Sequence, residues 1–442
     1  MNTVYQGLGA ILYQNAIVSA PIIFIFENQS TPPQLPAKYM NVKTLYYLAV
    51  FTILAASCSK NKVGTSGDLA DSDTLRLGDI YNKSSWTDLA DFTETGKFFV
   101  ADGKIISPVG NNGYLKLNWF TGLDDYTLSF DFKGTNGTKS FYGLPIGFLS
   151  VNKTAESIGQ YAYFYESTRQ ITAHSMHSNT DTISAARLPA YDAGDQMRFS
   201  IECHQLRYKL TANNITKKTS FSYEFSIPYH AAFARQQFLH NTAQPAIIGQ
   251  NDGSSYEITN LTYTSNQKLG GSLAVGSSLA YGFNSSSKNH LSRWATLIGA
   301  EVNAGNSDKS SEILLRLPEI IRLKPKTVYL ESGANDYDFT TWQTNLSVIY
   351  HTLTSCGITV IVLTPPPNNF RDMSVFSDWI VNHYPHIDVY TALKDPSGSN
   401  LNPLYKDGSD GAHPNAAGHK KWAETIMASP LYKKEPYLLK TP

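Results

Sequence analysis

The sequence predicts two folded domains: an antiparallel, jelly-roll-like β-sandwich, followed by an α/β domain built on a parallel sheet. Three observations predict it. At 442 residues the chain exceeds what one ordinary hydrophobic core accommodates. Between residues 75 and 267, short runs alternate apolar and polar side chains, as half-buried antiparallel strands do. After Gln267 the rhythm becomes strand, loop and helix in repetition, which calls for parallel strands joined by helical crossovers.

Composition narrows the function classes. Lys plus Arg and Asp plus Glu both number 36, so the formal net charge is zero. Basic residues cluster only as pairs such as Lys217-Lys218 and Lys420-Lys421. Nothing here makes the basic stripe that a phosphate backbone needs, so nucleic acid is not an expected partner. Of the three cysteines, Cys203 and Cys356 lie in apolar-periodic stretches and read as buried free thiols. An odd count at long spacing excludes a dense disulfide framework and a Cys-type zinc site.

From Met40 the chain reads as an export segment. Lys43 supplies a positive start, Leu45 to Leu54 an apolar run, and Ala55-Ala56-Ser57 the small residues before a cut at Cys58. The run is short for a membrane-crossing helix. It resembles a bacterial lipoprotein signal, departing only in Ala55 where Leu is usual. The resemblance implies that Cys58 is lipidated and begins the mature chain. An ordinary secretory signal with an incidental Cys58 is the alternative. Residues 1–39 precede this signal and read as a misassigned start or an extension. Residues 40–57 are then the signal and 58–74 a polar tether. The expected location is the bacterial cell envelope, anchored in a membrane, the outer one by preference, and facing periplasm or exterior.

Residues 75–267 supply the sandwich. Tyr114 to Trp119, Tyr126 to Phe132, Met197 to Glu202 and Tyr208 to Thr211 alternate in period two. Gly110-Asn-Asn-Gly113, Gly134-Thr-Asn-Gly137 and Asn213-Asn214 provide turns between strands. This order of strands resembles a concanavalin-type or laminin-G-type sandwich, a resemblance of pattern without a specific motif. Such domains often bind glycans, and Trp119, Tyr161, Tyr163 and Tyr165 are candidate stacking residues, although aromatics at strand spacing are more often core.

Residues 268–432 supply the α/β domain, with 433–442 as a tail. Ser272 to Val275 is a buried strand running into Gly276-Ser277-Ser278-Leu279, and Glu301 to Asn303 is extended. Helical spacing covers His290 to Ile298, Ser310 to Leu323, Thr341 to Cys356 and Asn415 to Ala428. Thr327 to Glu331 and Thr359 to Leu363 are further strands. In such folds functional groups gather at the carboxyl ends of the strands, where Ser278, Gly305, Asn335 and Asp336 fall.

Four blocks in this order resemble the SGNH, or GDSL-type, hydrolase family over residues 269–429. Gly276-Ser277-Ser278-Leu279 with Gly282 matches the block that carries the nucleophile. Asn303-Ala-Gly305-Asn-Ser307 resembles the block that supplies a glycine amide to an oxyanion hole. Gly333-Ala-Asn335-Asp336 matches the block whose Asn is a second donor, and Asp410-Gly-Ala-His413-Pro414 the block with the triad acid and base. The resemblance implies a three-layer, flavodoxin-like fold and a serine esterase with catalytic Ser278, Asp410 and His413. It also implies an oxyanion hole of Ser278 N–H, Gly305 and Asn335, with no cofactor and no metal. Two departures stand out. Ser277 replaces the usual Asp, and the second block lacks a Gly after Ser307, so that either Gly305 or the Ser307/Asp308 amide is the second backbone donor.

The residue types suit the chemistry. A serine hydroxyl is a weak nucleophile at neutral pH and needs an adjacent base. His413 can serve, and Asp410 three residues earlier can fix its tautomer. Asn335-Asp336 could instead merely cap the following helix. An α/β-hydrolase would show Gly-x-Ser-x-Gly, and Ala280 breaks that pattern. His-Glu-x-x-His is absent, the other histidines are scattered, and His419 reads as a surface residue, so a metallohydrolase is disfavoured. The expected substrate is an extracellular ester, by preference an acetylated glycan. Alternatives are a lysophospholipid or short acyl ester, or a non-catalytic glycan-binding lipoprotein with a decayed hydrolase domain.

Overall fold

The computed structural model describes residues 78–438 except 112, 119–121, 124, 137–145, 151–163, 168–169, 175–181, 188–191, 193, 205–206, 227–242, 249–254, 284, 286–291, 306–307 and 408–409. The export segment, Cys58, Trp119, Tyr161 and Tyr163 lie outside the described residues, as does the side chain of Tyr165.

The first region is antiparallel. Its larger sheet is centred on β1 (Asp125–Asn136), which pairs on one side with β2 (Gln196–His204) and on the other with β4 (Ser255–Ser265). β3 (Arg207–Asn214) continues the sheet beyond β2. The period-two pattern does what it predicts: Met197, Phe199, Ile201 and Cys203 are buried while Arg198, Glu202 and His204 are exposed. Register sets Phe199 opposite Phe130 and Ile201 opposite Leu128, and the two phenylalanine rings stack at 5.5 Å. A four-stranded sheet formed by Phe92–Thr95, Tyr114–Leu117, Ala243–Ile248 and Ile146–Ser150 makes a second antiparallel layer. Phe92 packs from it against Tyr81 and Trp86 at the edge of the larger sheet.

The second region holds a five-stranded parallel sheet. Its strands are β5 (Ser272–Gly276), β6 (Glu301–Ala304), β7 (Thr327–Glu331), β8 (Thr359–Leu363) and β9 (His386–Ile387). Their spatial order is β6-β5-β7-β8-β9, all parallel. The order reverses at β5, so the loop after Gly276 opens at the topological switch point, where such sheets build sites. Side chains alternate between two faces. Tyr329, Ile361 and Leu363 enter a core with Trp294, Trp422 and Ile426. That core is covered by α2 (Trp294–Leu297), α7 (Val389–Leu393) and α8 (Ala416–Ala428), and the rings of Trp294 and Trp422 stack at 5.2 Å. A second group packs together, α3 (Ser310–Leu315), α4 (Leu317–Arg322) and α5 (Phe339–Ser355), with α5 against β8.

Several expectations need correction. The helix expected over Ser310–Leu323 is two, because Pro318 enters the first turn of α4 and has no N–H to continue the ladder from α3. The expected helix from His290 is described only as α2. A further helix, α6 (Ser374–His383), was not anticipated. Cys203 is buried and in no disulfide, whereas Cys356 is only partly buried and is disulfide-bonded, not the buried free thiol expected. Tyr437–Leu438, in the expected tail, pairs with Leu269–Gly270 and ties the chain end to the start of the α/β region.

Candidate active site

The turn after β5 is built by its side chains. Ser277 is the N-cap of α1 (Ser278–Tyr281), in extended backbone geometry, its Oγ accepting from Leu279 N–H. Both Ser277 N–H and Ser277 Oγ donate to Glu331 Oε2 at 2.8 Å. Glu331 ends β7 and is fully buried, and its Oε1 has no hydrogen-bond partner among the described residues. Burial pushes its carboxyl above the usual range, against the Ser277 bonds that favour the ionised form. Gly282 closes α1 with φ of 92°, a left-handed conformation that suits glycine.

Ser278 is thereby held at the first position of a helix at the carboxyl end of β5. Its Oγ lies 2.9 Å from His413 Nε2, and His413 Nδ1 lies 2.8 Å from Asp410 Oδ2. Asp410 Oδ1 also accepts from the Ala412 and His413 amides, which fixes the loop around the carboxylate. Burial acts to raise the Asp410 pKa, but the His413 hydrogen bond and charge outweigh it, with these amides, and hold the carboxyl at about 2. Asp410 is therefore an anion throughout the neutral range, able to orient an imidazole and stabilise it when protonated. His413 lies in the extended segment Asp410–Pro414, as the proline after it favours, and α8 begins only at Ala416 with Asn415 as cap. The Phe283 ring packs on the imidazole at 4.5 Å.

Of the expected oxyanion donors, the Gly305 amide is the one already engaged. Gly305 N–H donates to Gly276 O at 3.2 Å, continuing the β5–β6 ladder one residue past its end, so this amide is already used. The Asp308 amide donates to Gly305 O, and Ser307 lies outside the described residues. Ser278 N–H, at the start of α1, has no partner among the described residues. Asn335 Nδ2 spends one hydrogen on Asp308 O at 2.9 Å, and its second has no partner among the described residues. Asn335 and Asp336 do not cap α5: Asp338 does, accepting from Thr341 N–H. Asp336 instead accepts from the backbone and hydroxyl of Ser310, fastening the Asn335 loop to α3. Arg371 donates to the carbonyls of Gly333, Ala334 and Asp336 and staples the same loop from the other side.

His419, expected at the surface, is fully buried. Its Nδ1 accepts from Trp294 N–H and its Nε2 hydrogen goes to Phe283 O. Burial pulls its pKa down to about 4, so it is neutral and structural. Residues 274–421 match the model of the GDSL-like Lipase/Acylhydrolase family. This region is a GDSL-like lipase/acylhydrolase domain. No curated protein matches the chain by sequence. Among solved structures, a GDSL-like lipase from Bacteroides thetaiotaomicron is 19% identical and aligns over 35% of this chain and 85% of its own, with a TM-score of 0.30. The β-rich part has lectins as neighbours. Lectin II from Ulex europaeus is 11% identical over 42% of this chain and 98% of its own, with a TM-score of 0.34. Lectin I from the same plant, solved with the methyl glycoside of α-L-fucose, is 12% identical over 42% and 96%, with a TM-score of 0.33.

Sequence patterns gave little sign of how the GDSL-like domain supports its loops. Glu331, Arg316 and Arg371 were missed. Glu331 did carry a signal, a lone glutamate closing the otherwise apolar strand Thr327-Val-Tyr-Leu-Glu331.

Proposed function

We propose that this chain is a lipid-anchored cell-envelope esterase that removes acyl groups, acetyl by preference, from an extracellular glycan. The observation that carries the catalytic part is the line from Ser278 Oγ through the His413 ring to Asp410, with both contacts under 3 Å. Ser278 Oγ attacks the ester carbonyl carbon while its proton passes to His413 Nε2. Charge that develops on the carbonyl oxygen falls to Ser278 N–H and the remaining Asn335 Nδ2 hydrogen. Collapse breaks the ester C–O bond, and His413 returns the proton to the leaving alcohol oxygen. Water, deprotonated by His413, then releases the acid from the acyl-serine and restores the hydroxyl.

The substrate class has separate support. Tyr337 and Phe370 are 86% and 75% exposed, the first two residues after Asn335 and the second on the loop after β8, whose Asn369 N–H donates to Gly411 O beside Asp410. Exposed rings at a reaction site give a sugar face something to stack on. The export segment at Met40 and the polar stretch behind Cys58 support secretion and anchoring.

Ser278→Ala should fold normally yet lose nearly all hydrolysis of p-nitrophenyl acetate and of acetylated polysaccharide, together with fluorophosphonate labelling. Labelling that persists in that variant would sink the assignment. A p-nitrophenyl series of rising chain length separates a deacetylase from a longer-chain acyl esterase. Absence of labelling in the wild type would favour a non-catalytic glycan-binding protein.

A further inference from the structure

A buried polar chain runs from the β-rich domain into the loops around Ser278. Residues 122–123 lie antiparallel to the edge strand β6, with Ala304 N–H donating to Gly122 O at 2.8 Å and Leu123 bridging Asn303. They cover an edge that would otherwise be unpaired. Gly122 N–H in turn donates to Glu319 Oε2 at 2.9 Å, and Tyr263 OH, from β4, donates to Glu319 Oε1. Glu319, on α4, is fully buried and takes its third donor from Asn303 Nδ2 at 2.6 Å. Two of the three donors that compensate this buried carboxylate thus come from the other domain, and burial still pushes it up to about 7.

From Glu319 the chain continues toward the site. Asn303 Oδ1 accepts from Arg316 Nε at 2.8 Å, and Arg316 is fully buried. One end of its guanidinium pairs with the Asp308 carboxylate, and the other donates to Gly276 O at 3.1 Å. Gly276 immediately precedes Ser277-Ser278, and Asp308 O holds Asn335 Nδ2. One side chain therefore grips both the strand end that presents the serine and the loop that positions Asn335. The approach is close: a Cβ on Gly122 would come within 2.5 Å of Arg316 Cδ and Asn303 Oδ1.

We infer that Tyr263 and Gly122 of the β-rich domain are positioning residues for the hydrolase site, acting through Glu319, Asn303 and Arg316 on Ser278 and Asn335. The inference rests on the serine-esterase reading for its kinetic consequence and not for its structural one. A guanidinium that carries two bonds and an ion pair to separate loops transmits a shift at Glu319 to both, because buried packed groups have no slack to absorb it.

Three full-length variants test this. Tyr263→Phe removes one hydroxyl, and Gly122→Ala presses on Arg316. Phe199→Leu loosens the sandwich core on β2, separated from Tyr263 by β1 and without a contact to the polar chain among the described residues, and serves as a control for lost stability. With p-nitrophenyl acetate well below any melting transition, Tyr263→Phe should lower kcat roughly 3–30-fold, with KM within about twofold. Fluorophosphonate labelling should slow in parallel, and Phe199→Leu should leave both unchanged. In NMR spectra the Asn335 side-chain amide and the Ser278 N–H should shift in Tyr263→Phe and not in Phe199→Leu, a readout that needs no activity. Should Gly122→Ala fail to fold, Tyr263→Phe carries the test alone. Wild-type kcat in folded Tyr263→Phe, or unmoved Ser278 and Asn335 resonances, would overturn the inference. A wild-type protein that takes no fluorophosphonate would instead overturn the esterase reading, leaving the NMR comparison to decide this one.

Discussion

His419→Gln offers a quantitative test of how the α/β core holds its polar groups. In the folded chain His419 is fully buried with both ring nitrogens engaged, and its pKa falls from 6.5 to about 4 through burial. Between those values the unfolded chain binds a proton that the folded chain does not. Stability from His419 is therefore complete above pH 6.5 and is lost as pH falls toward 4. A shift of that size is worth about 3 kcal/mol at 1.36 kcal/mol per unit, a large share of the 5–15 kcal/mol that stabilises a domain. Glu319 acts in the opposite sense. Its pKa is raised from 4.5 to about 7, so its contribution is complete below 4.5 and fades as pH rises through 7. Burial raises Glu331 and Asp336 as well, and they add to that side. Asp410 changes only below pH 3.8 and stays outside the window. The wild-type profile between pH 4 and 7 therefore sums terms of opposite sign. The informative quantity is wild type minus His419→Gln, measured by urea unfolding from pH 7.5 to 4. That difference should shrink by about 3 kcal/mol on acidification. A difference that is flat with pH would refute the assignment of a buried neutral imidazole.

Other outcomes follow from single contacts. Asn335→Ala should cost about 10²–10³ in kcat with little change in KM, because the amide acts on charge present only in the transition state. It should also cost about 1 kcal/mol of stability for the lost bond to Asp308 O, read from the melting curve. Wild-type kcat in that variant would leave Asn335 as a loop fastener alone. Cys58→Ala should release the protein from the membrane fraction or block its processing. Intact mass of the wild type should show an acyl addition on an N-terminal Cys58, and a mature chain that begins elsewhere without it would sink the lipoprotein reading.

What the sequence disclosed was whatever is local along the chain. The β-rich strands announced themselves because one face of each is buried, so that Phe199, Ile201 and Cys203 had to alternate with polar neighbours. Asp410 and His413 sit in one loop, and Ser278 follows a buried strand, so their convergence could be read from order and fold type. His419 was readable and was misread. Its neighbours Lys420 and Lys421 suggest a surface, yet His419, Trp422, Ala423 and Ile426 share one helical face, and all four are buried. The break between α3 and α4 was marked by Pro318, which the apolar spacing of Ile313, Leu314, Leu317 and Ile320 disguised. Hydrogen-bond direction was not readable at all. Nothing local says that Gly305 N–H continues a ladder to Gly276, or that Glu319 meets a tyrosine 56 residues away and a glycine amide 197 residues away.

The departure at Ser277 can be understood from the same contacts. At this N-cap position the family carries Asp, and its carboxylate here would face the buried Glu331 carboxylate across the bonds that Ser277 now makes. Two carboxylates in contact at a buried position do not both ionise, and one would hold a proton. Ser277 avoids that contest: it donates an O–H and an N–H to Glu331 and still caps α1, so the nucleophile turn is fastened to β7 by a neutral group. Arg316 balances the neighbouring Asp308 from the opposite side of Gly276, leaving Asp410 as the carboxylate bonded to the His413 ring. The imidazole beside Ser278 therefore takes its orientation from Asp410, while the loops around it are held by bonds that carry no proton in the reaction.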